Sequence, residues 1–337
     1  MPDERFVSKT PVWPYSAVMQ PAMRTWRTIM AVATVGFAMA LAVATAASFT
    51  GGFWPWGGLL ADLRIQFFVT SVFLLASALV VSRSSLVLVL TFVAFMANAA
   101  PVLPQITVRA AEATPDGPTL NGMVLNLLFG QAPPERVAGV IEEWQPDIIA
   151  FTEINRETDA QYGALLRERY PFTASSGRIG TKELRIFSRY RLSDVAVRRE
   201  GVASPVVTAT VNALGAEWRM IAFHAPSPLF RVGSRDIALK KVAEIARSEK
   251  APYFVAGDLN VTPWSPVFAD MLAEGELKDS GLGHRIDNTW LMRQVPFGLP
   301  IDHVLVSKDI SVAERAVSSP VGSDHRALFA RLVLPYN

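Results

Sequence analysis

The chain of 337 residues contains no cysteine. Without thiols it can form no disulfide bond, no thiolate metal site and no cysteine nucleophile. Charge is also sparse, because only 18% of the residues are charged and the formal net charge is +2. The basic pairs Arg198-Arg199 and Lys240-Lys241 are typical of solvated faces. The sequence therefore does not indicate a basic stripe for binding nucleic acid. Nucleic acid stays the less favoured of the alternative partners.

Charge is missing altogether from long stretches near the start of the chain. No charged residue lies at positions 28–61, 65–82 or 84–108. A transmembrane helix needs about 20 mostly apolar residues. Buried helices of a soluble bundle are the alternative, but these stretches lack the polar face that such helices show. The sequence therefore predicts a multi-pass membrane anchor at 28–103, with three transmembrane helices near residues 28–49, 65–82 and 85–103.

The distribution of basic residues gives the expected orientation of this anchor. Basic residues before the first span and in the second loop are Arg5, Lys9, Arg24, Arg27 and Arg83. The first loop has only Arg64 beside Asp62. By the positive-inside rule, residues 1–27 are expected in the cytoplasm of a bacterial cell. Three crossings then place the chain after residue 104 on the extracytoplasmic side of the inner or cell membrane.

Residues 104–118 are rich in proline and small polar residues, so we interpret them as a linker that leads into a domain at 119–337. In this domain, apolar β-prone runs are separated by amphipathic helices in some places and follow one another directly in others. The first arrangement indicates covered sheet faces, and the second indicates antiparallel pairs. We therefore predict an α/β fold in which two β-sheets pack together with helices outside.

The clearest functional signal follows the apolar, β-prone run Tyr253–Ala256. Gly257 ends this run, and Asp258 and Asn260 come directly after it. If the extended backbone continues, residues at i and i+2 point to the same side. Asp can take a proton from water, and Asn can donate hydrogen bonds to a developing oxyanion, as hydrolysis at phosphorus requires. An ordinary turn is the alternative interpretation.

Carboxylate, amide and imidazole side chains recur at the ends of other apolar runs in this domain. The set comprises Asn126, Glu153, His224, Asp258, Asn260, Asp302, Asp324 and His325. Their oxygens suit a hard cation such as Mg²⁺, with Mn²⁺ as the alternative. Such a cation polarises phosphate, while imidazoles and amides hold the other phosphate oxygens. Each residue alone fits a cap or a turn, but together they indicate a metal-dependent phosphoesterase.

Three of the four histidines, His224, His303 and His325, lie in these segments. The fourth, His284, lies in a glycine-rich stretch that is typical of a loop. A histidine-rich zinc site is the competing chemistry, but no His-x-x-x-His or similar spacing supports it.

The order of these segments resembles the endonuclease/exonuclease/phosphatase superfamily, which has the fold of deoxyribonuclease I. The resemblance covers about residues 119–335. The matching motifs are Leu125-Asn126, Phe151-Thr152-Glu153-Ile154-Asn155, Phe223-His224, Gly257-Asp258-Leu259-Asn260, Ile301-Asp302-His303-Val304 and Ser323-Asp324-His325-Arg326. It implies a four-layered α/β sandwich, a divalent metal cofactor and hydrolysis of a phosphate bond.

The resemblance also implies roles for the metal-binding and water-activating residues. Glu153 matches the principal metal ligand, and Asn126 and Asp324 lie beside the metal. Asp258 resembles the residue that positions or deprotonates the attacking water. Asn260 resembles the residue that stabilises the transition state.

Further roles concern the phosphate group of the substrate. His325 matches a residue that contacts phosphate, with Asp302 as its orienting partner, and His224 matches another phosphate-binding residue. Arg185 and His303 are further predicted substrate-binding residues. A salt bridge on the strand surface is the alternative for Arg185.

The expected substrate follows from the membrane part of the sequence. Leu128 lies where some nucleases have a second acidic metal ligand, which favours one metal and weakens the comparison with DNA-repair enzymes. Three N-terminal spans before an external catalytic domain resemble the VanJ-type teicoplanin-resistance proteins, which are undecaprenyl-pyrophosphate phosphatases. We expect a membrane-borne phosphate ester or anhydride, best a polyprenyl pyrophosphate. The alternatives are a phosphodiesterase acting on phospholipid, sphingomyelin or extracellular nucleic acid, and a non-catalytic membrane-anchored binding module.

Overall fold

The computed structural model describes residues 15–82, 84–108, 117–177, 183–199, 201, 204–284, 286–291 and 297–334. Most of the predicted cytoplasmic segment, residues 1–14, and most of the predicted linker, residues 109–116, lie outside these ranges. The described chain has an N-terminal helical part and a C-terminal part that contains the β-sheets.

The N-terminal part consists of apolar helices. They are α1 (Tyr15–Ser48), α2 (Pro55–Asp62), α3 (Arg64–Ser77), a π-helical segment (Ala78–Ser82) and α4 (Ser85–Thr107). α3 runs antiparallel to α1. The start of α3 lies at the end of α1, where Arg64 donates to the Ser48 carbonyl at 3.4 Å. At the other end of α3, the Ser77 hydroxyl lies 2.9 Å from the hydroxyl of Thr34, just past the middle of α1.

α1 and α4 run parallel to each other. Val87 near the start of α4 packs with Ala38 of α1, and further along Asn98 Nδ2 donates to Thr45 Oγ1 at 2.9 Å. Both helices therefore run towards the side where the sheet domain lies, and α4 extends beyond the end of α1. α4 continues to Thr107, so the helix includes the first residues of the predicted linker.

The prediction of three separate transmembrane helices is wrong for the second span. Two helices, Met23–Ser48 and Ser85–Thr107, are long and apolar enough to cross a membrane. The intervening segments Pro55–Asp62 and Arg64–Val80 form a pair bent by 64°, and only if this pair is one span does the number reach three. The chain turns at Leu63, whose φ of −93° and ψ of 18° depart from helical values. A count of apolar residues does not register such a bend.

The C-terminal part contains twelve described strands and four described helices. The strands are β1 (Thr119–Asn126), β2 (Ile148–Ile154), β3 (Phe172–Ser175), β4 (Glu183–Ser188), β5 (Arg191–Arg198), β6 (Val206–Ala213), β7 (Ala216–Phe223), β8 (Tyr253–Asp258), β9 (Leu277–Asp279), β10 (Asp302–Ser307), β11 (Ser311–Val317) and β12 (Leu328–Val333). The helices are α5 (Pro134–Trp144), α6 (Arg156–Leu166), α7 (Ser234–Ser248) and α8 (Pro266–Glu274). The strands form two six-stranded mixed sheets, in the orders β11-β12-β1-β2-β4-β3 and β5-β6-β7-β8-β10-β9.

Three apolar cores hold these elements in four layers. The central core, which includes Trp218 and Phe254, fills the space between the two sheets. A second core packs α7 and α8 against the β8 side, and a third packs α5 and α6 against β1 and β2, where Phe151 lies under Tyr162. Burial of one large apolar side chain stabilises a fold by about 1.5–3 kcal/mol. The prediction of two packed sheets flanked by helices is confirmed.

Strand register determines which side chains meet at the end of the sandwich. β1 and β2 are parallel neighbours, and Asn126 pairs with Thr152 at their carboxyl ends. In the other sheet β7 and β8 are parallel, while β8 and β10 are antiparallel with Asp258 opposite Asp302. Polar residues that are far apart in the chain therefore converge at this end.

Candidate active site

Three buried groups form the centre of the site. Asp258 at the end of β8 lies opposite Asp302 at the start of β10, and neither side chain is more than 1% exposed. His325, just before β12, places Nδ1 2.7 Å from Asp302 Oδ2 and Nε2 3.7 Å from Asp258 Oδ2. Because an ionised carboxylate only accepts hydrogen bonds, the imidazole donates to Asp302 through Nδ1.

A second group of side chains, from the strand ends of both sheets, surrounds Asp258. Asn126, at the end of β1, donates through Nδ2 to Asp258 Oδ2 at 2.9 Å. His224, which follows β7, places Nε2 3.5 Å from Asp258 Oδ2 and 3.6 Å from Glu153 Oε1. Glu153 is itself buried on β2. The two sheets thus meet at Asp258, which is the most connected carboxylate of the site.

Two of these polar residues have left-handed backbone conformations. φ is +55° at Glu153 and +51° at Asn260. Non-glycine residues adopt this region only where the surrounding structure holds them, and such positions are concentrated at functional sites. The Asn260 amide N–H donates to Asp258 Oδ1 at 2.9 Å, and its side-chain Nδ2 donates to the Ala225 carbonyl at 3.0 Å. Asn260 is therefore fixed by both its backbone and its side chain.

Gly257 is required by the close approach of β7 to the strand end. Its φ is +155°, and a Cβ at this position would collide with the Phe223 carbonyl oxygen. Only glycine lets β8 continue to Asp258 here, which explains why a glycine precedes Asp258 in the sequence.

Asp324 lies at the side of the cleft next to His325. Its Oδ2 accepts a hydrogen bond from Trp290 Nε1 at 3.0 Å. The neighbouring Ser323 hydroxyl donates to the Asn126 carbonyl at 2.7 Å and accepts from the His325 amide at 3.0 Å. This turn therefore ties the segment of His325 to the end of β1.

The titration behaviour of the central groups reflects their burial and their proximity. Burial, followed by the adjacent Asp302 carboxylate, raises the pKa of Asp258 to about 7. Burial alone would lower the pKa of His325, but the carboxylates of Asp302 and Asp258 outweigh it and raise that pKa to about 9. Near neutral pH the imidazole is therefore protonated, while Asp258 is close to its titration midpoint.

The donor set fits a hard divalent cation. Carboxylate oxygens of Asp258 and Asp302 lie within 4.8 Å of each other, beside the His325 imidazole. Asp302 Oδ1 is buried and accepts no hydrogen bond from the described residues. Glu153 and Asn126 add a carboxylate and an amide on the other side of Asp258. Oxygen-rich, negatively charged sets of this kind are the ligands that Mg²⁺ and Mn²⁺ prefer.

Two predicted substrate-binding residues are not brought into this group. His303 follows Asp302 on β10 and therefore points to the opposite face, where its Nε2 donates to the Val261 carbonyl at 2.8 Å and its ring packs 4.7 Å from that of Phe268. Arg185 forms an ion pair with Asp159 of α6, with 3.2 Å between Nε and Oδ1. The structure thus places Arg185 in the surface salt bridge that was its alternative interpretation.

The walls of the cleft are apolar and come partly from the N-terminal helices. The cleft has a volume of about 460 Å³. Its apolar lining comprises Leu59, Leu63, Leu128, Phe129, Pro228, Leu229, Phe230, Trp290, Leu299 and Ile301. Leu59 lies on α2 and Leu63 at the bend before α3. At the mouth, Leu229 is 64% exposed and Phe230 is 85% exposed, which is unusual for side chains of this type.

Sequence reasoning missed these walls and the polar contacts behind them. Leu59 and Leu63 belong to an apolar stretch in which nothing distinguishes a cleft residue from a lipid-facing one. Asp62 and Arg235 are buried partners from distant parts of the chain. The one available signal was Asp62 itself, a lone acid between apolar segments.

The fold and the site together define a hydrolase of phosphate bonds, and comparison with known proteins identifies the family. Residues 123–325 match the model of the Endonuclease/Exonuclease/phosphatase family, and the chain belongs to this family. Its members are typically metal-dependent nucleases and phosphatases. A comparison with curated protein sequences gives no match.

Solved structures show the same fold. An endonuclease/exonuclease/phosphatase from Beutenbergia cavernae is similar with a TM-score of 0.51 and 21% identity, covering 65% of this chain and 72% of that one. The human Nocturnin catalytic domain gives a TM-score of 0.53 and 18% identity, covering 68% and 99%. D. rerio TDP2, solved with a single-strand DNA product, gives 0.54 and 16%, covering 64% and 98%. At these identities the likeness extends to the fold alone.

Proposed function

We propose that this protein is a membrane-anchored, metal-dependent phosphoesterase that hydrolyses a membrane-borne phosphate ester or anhydride. A polyprenyl pyrophosphate, in particular undecaprenyl pyrophosphate, is the favoured substrate. One observation carries the proposal: a single cleft has carboxylate, imidazole and amide groups at its bottom and apolar side chains on its walls. Such a cleft matches a molecule that has a phosphate group at one end and a hydrocarbon chain at the other.

The residues at the base can each perform one part of the hydrolysis. Asp258, with a pKa of about 7, is suited to take a proton from water. The water oxygen then bonds to the terminal phosphorus while the bond to the bridging oxygen breaks, which yields orthophosphate and a lipid monophosphate. Asn260 and the protonated His325 are suited to stabilise the negative charge on the phosphate oxygens.

Further residues hold these groups and would bind the cation. Asp302 orients His325 through the 2.7 Å hydrogen bond, and His224 lies between Glu153 and Asp258 within reach of a phosphate oxygen. Glu153 and Asn126 would hold the divalent cation, with Asp324 close by. When bound, the cation supplies charge neutralisation and polarisation of the phosphate.

The direction of the helices supports an extracytoplasmic catalytic domain. α1 and α4 run parallel, so the chain between them has to return across the same thickness, and α3 runs in the required direction. Arg24 and Arg27 lie at the end of α1 that is remote from the sheet domain, where the positive-inside rule expects the cytoplasm. We therefore propose an N-terminus in the cytoplasm and a catalytic domain on the outer side of a bacterial membrane.

The lining of the cleft favours lipid over nucleic acid. Among the described residues that line it there is no Lys or Arg. Proteins that bind nucleic acid neutralise several phosphates with such residues. The exposed Phe230 and Leu229 at the mouth instead provide an apolar surface that can enter the head-group region of a membrane.

A hydrolysis assay on the full-length protein tests the proposal. The protein is purified in detergent and incubated with Mg²⁺ or Mn²⁺ and a panel of undecaprenyl pyrophosphate, phospholipid, sphingomyelin and DNA. We expect orthophosphate from the pyrophosphate, lost on adding a chelator and in the variant Asp258→Asn. Cleavage of DNA or of a phosphodiester lipid instead would contradict the substrate, and no metal-dependent hydrolysis would favour a non-catalytic binding module.

A further inference from the structure

The anchor inserts one acidic side chain into the catalytic domain. Asp62, the last residue of α2, is only 4% exposed although it lies between apolar helices. Its Oδ1 accepts from the Thr262 amide at 3.0 Å and from the Thr262 hydroxyl at 2.9 Å. Its backbone carbonyl accepts from Trp264 Nε1 at 3.2 Å. One residue of the anchor thus makes three hydrogen bonds to the loop that follows Asn260.

The other carboxylate oxygen of Asp62 leads to Asn260 through an arginine. Arg235 Nη1 donates to Asp62 Oδ2 at 2.6 Å and to the Asn260 carbonyl at 2.9 Å. Arg235 is 1% exposed, and its Nε donates to Asp236 Oδ1 at 2.8 Å. α2 packs directly against the guanidinium group, since a Cβ at Gly58 would lie 3.2 Å from Nη2.

The conformation of Asn260 needs this support. Its left-handed backbone costs energy for a residue with a Cβ, although asparagine tolerates the region better than most. Its amide and its side chain are held by Asp258 and Ala225, within the sheet domain. Its carbonyl is held by Arg235, whose own position depends on Asp62 of the anchor.

A simple tether would not require this arrangement. Removing two charges from water costs several kcal/mol per ion, and apolar packing of the same volume is often as stable. A buried ion pair is therefore poor evidence of stabilisation, and it is better explained by the geometry it imposes. The geometry imposed here is that of the segment from Asn260 to Trp264.

We propose that Asp62 is a positioning residue of the active site, which acts through Arg235 and Thr262 to hold Asn260 in its catalytic orientation. The bent helix pair is then a component of the catalytic apparatus as well as a membrane anchor. The inference rests on the proposed role of Asn260 in phosphate hydrolysis, but it does not depend on which phosphate compound is the substrate.

The decisive variant replaces the ion pair by apolar residues, Asp62→Leu together with Arg235→Met, in the full-length protein. Exchange of a whole buried pair for apolar side chains tends to preserve stability. We expect a similar Tm but a kcat on undecaprenyl pyrophosphate lowered about tenfold or more, with KM within about twofold, because Asn260 acts in the transition state. Unchanged kcat in a folded double variant would overturn the proposal.

A matched control separates positioning from charge loss. Asp236→Asn removes the other carboxylate partner of Arg235 but none of the contacts of Asp62. We expect its kcat to stay within about twofold of that of the unaltered protein. An equal loss of kcat in this variant would contradict a specific role for Asp62.

Hydrogen–deuterium exchange keeps the test independent of the substrate. Asp62→Asn and Thr262→Val each change the contacts of one side chain, and Arg235 keeps Asp236 as a charged partner in both variants. We expect faster exchange in peptides covering residues 259–264 in both variants and no change there in Asp236→Asn. Unchanged exchange would refute the positioning role, whereas failure of every substrate with altered exchange would refute only the proposed function.

Discussion

The base and the walls of the cleft differ in chemistry and in origin. The base consists of carboxylate, imidazole and amide groups at strand ends, such as Asp258, Asp302 and His325. The walls consist of apolar side chains from loops and from the N-terminal helical part, such as Phe230 and Leu63. Because the fold alone does not determine function, we assign the proposed chemistry to the base and the proposed substrate preference to the walls.

Loss of the proposed general base, Asp258, should have the largest effect on kcat. Asp258→Asn removes the proposed proton acceptor while keeping the shape of the side chain. We expect kcat to fall about 100- to 10,000-fold, with little change in KM, because general base catalysis acts in the transition state. Steady-state kinetics on undecaprenyl pyrophosphate measure this, and a loss below tenfold would assign proton transfer to another group.

Loss of the side-chain amide of Asn260 should have the second-largest effect on kcat. Asn260→Ala removes a donor that we propose to stabilise negative charge on the phosphate, so kcat should fall about 100- to 1,000-fold. The backbone amide of residue 260 still donates to Asp258 in this variant. An effect confined to KM would indicate that Asn260 binds the ground state instead.

A change in the apolar wall of the cleft should alter KM and leave kcat nearly constant. Phe230→Ser removes an exposed apolar side chain at the mouth of the cleft. We expect KM for undecaprenyl pyrophosphate to rise about tenfold, from the loss of about 1.5 kcal/mol of apolar contact, with kcat nearly constant. Leu165→Ser, at an exposed position of α6 away from the cleft, is the matched control. Equal KM values in the two variants would remove Phe230 from the lipid contact.

Change outside the cleft should affect stability alone. His303→Leu removes the hydrogen bond to Val261 and should lower the free energy of unfolding by about 1–3 kcal/mol, with kcat unchanged. His303→Gln, which can keep a donor at a similar position, should lose less. A substrate-binding role, as the sequence predicted, would instead show as a raised KM with normal stability.

The same histidine gives a pH dependence. Burial lowers the pKa of His303 below its usual 6.5, so the unfolded chain binds more protons than the folded one at acidic pH. The stability contributed by the neutral ring is present above pH 6.5 and is lost as the pH falls below that value. Denaturant unfolding at several pH values should show a smaller acidic loss for His303→Gln than for the unaltered protein.

The sequence predicted the base of the site because its signals are local. Gly257, Asp258 and Asn260 follow a recognisable strand, and the close contact of Gly257 with Phe223 explains the glycine. Apolar runs with a period of two or of 3.6 likewise indicated the layers of the fold. The opposition of Asp258 and Asp302 depends on strand register, which the residue types alone do not contain.

The walls and the bend of the helices could not be predicted in this way. Asp62 and Thr262 are 200 positions apart, so no local pattern connects them. Hydropathy treats the stretch after Asp62 as one span, while the burial of this acid against the sheet domain accompanies a bend of 64°. His303 adjoins Asp302 in the sequence, but adjacent residues of a strand face opposite sides, so its side chain lies outside the group around Asp258.

In our proposal, one cleft combines phosphate-cleaving groups at its bottom with an apolar wall for a hydrocarbon chain. The most direct test compares kcat/KM for undecaprenyl pyrophosphate and for geranyl pyrophosphate, which carry the same phosphate group on chains of different length. We predict a preference of about tenfold or more for the long chain, since each buried methylene contributes about 0.8 kcal/mol. Equal values, or a preference for the short chain, would contradict the account.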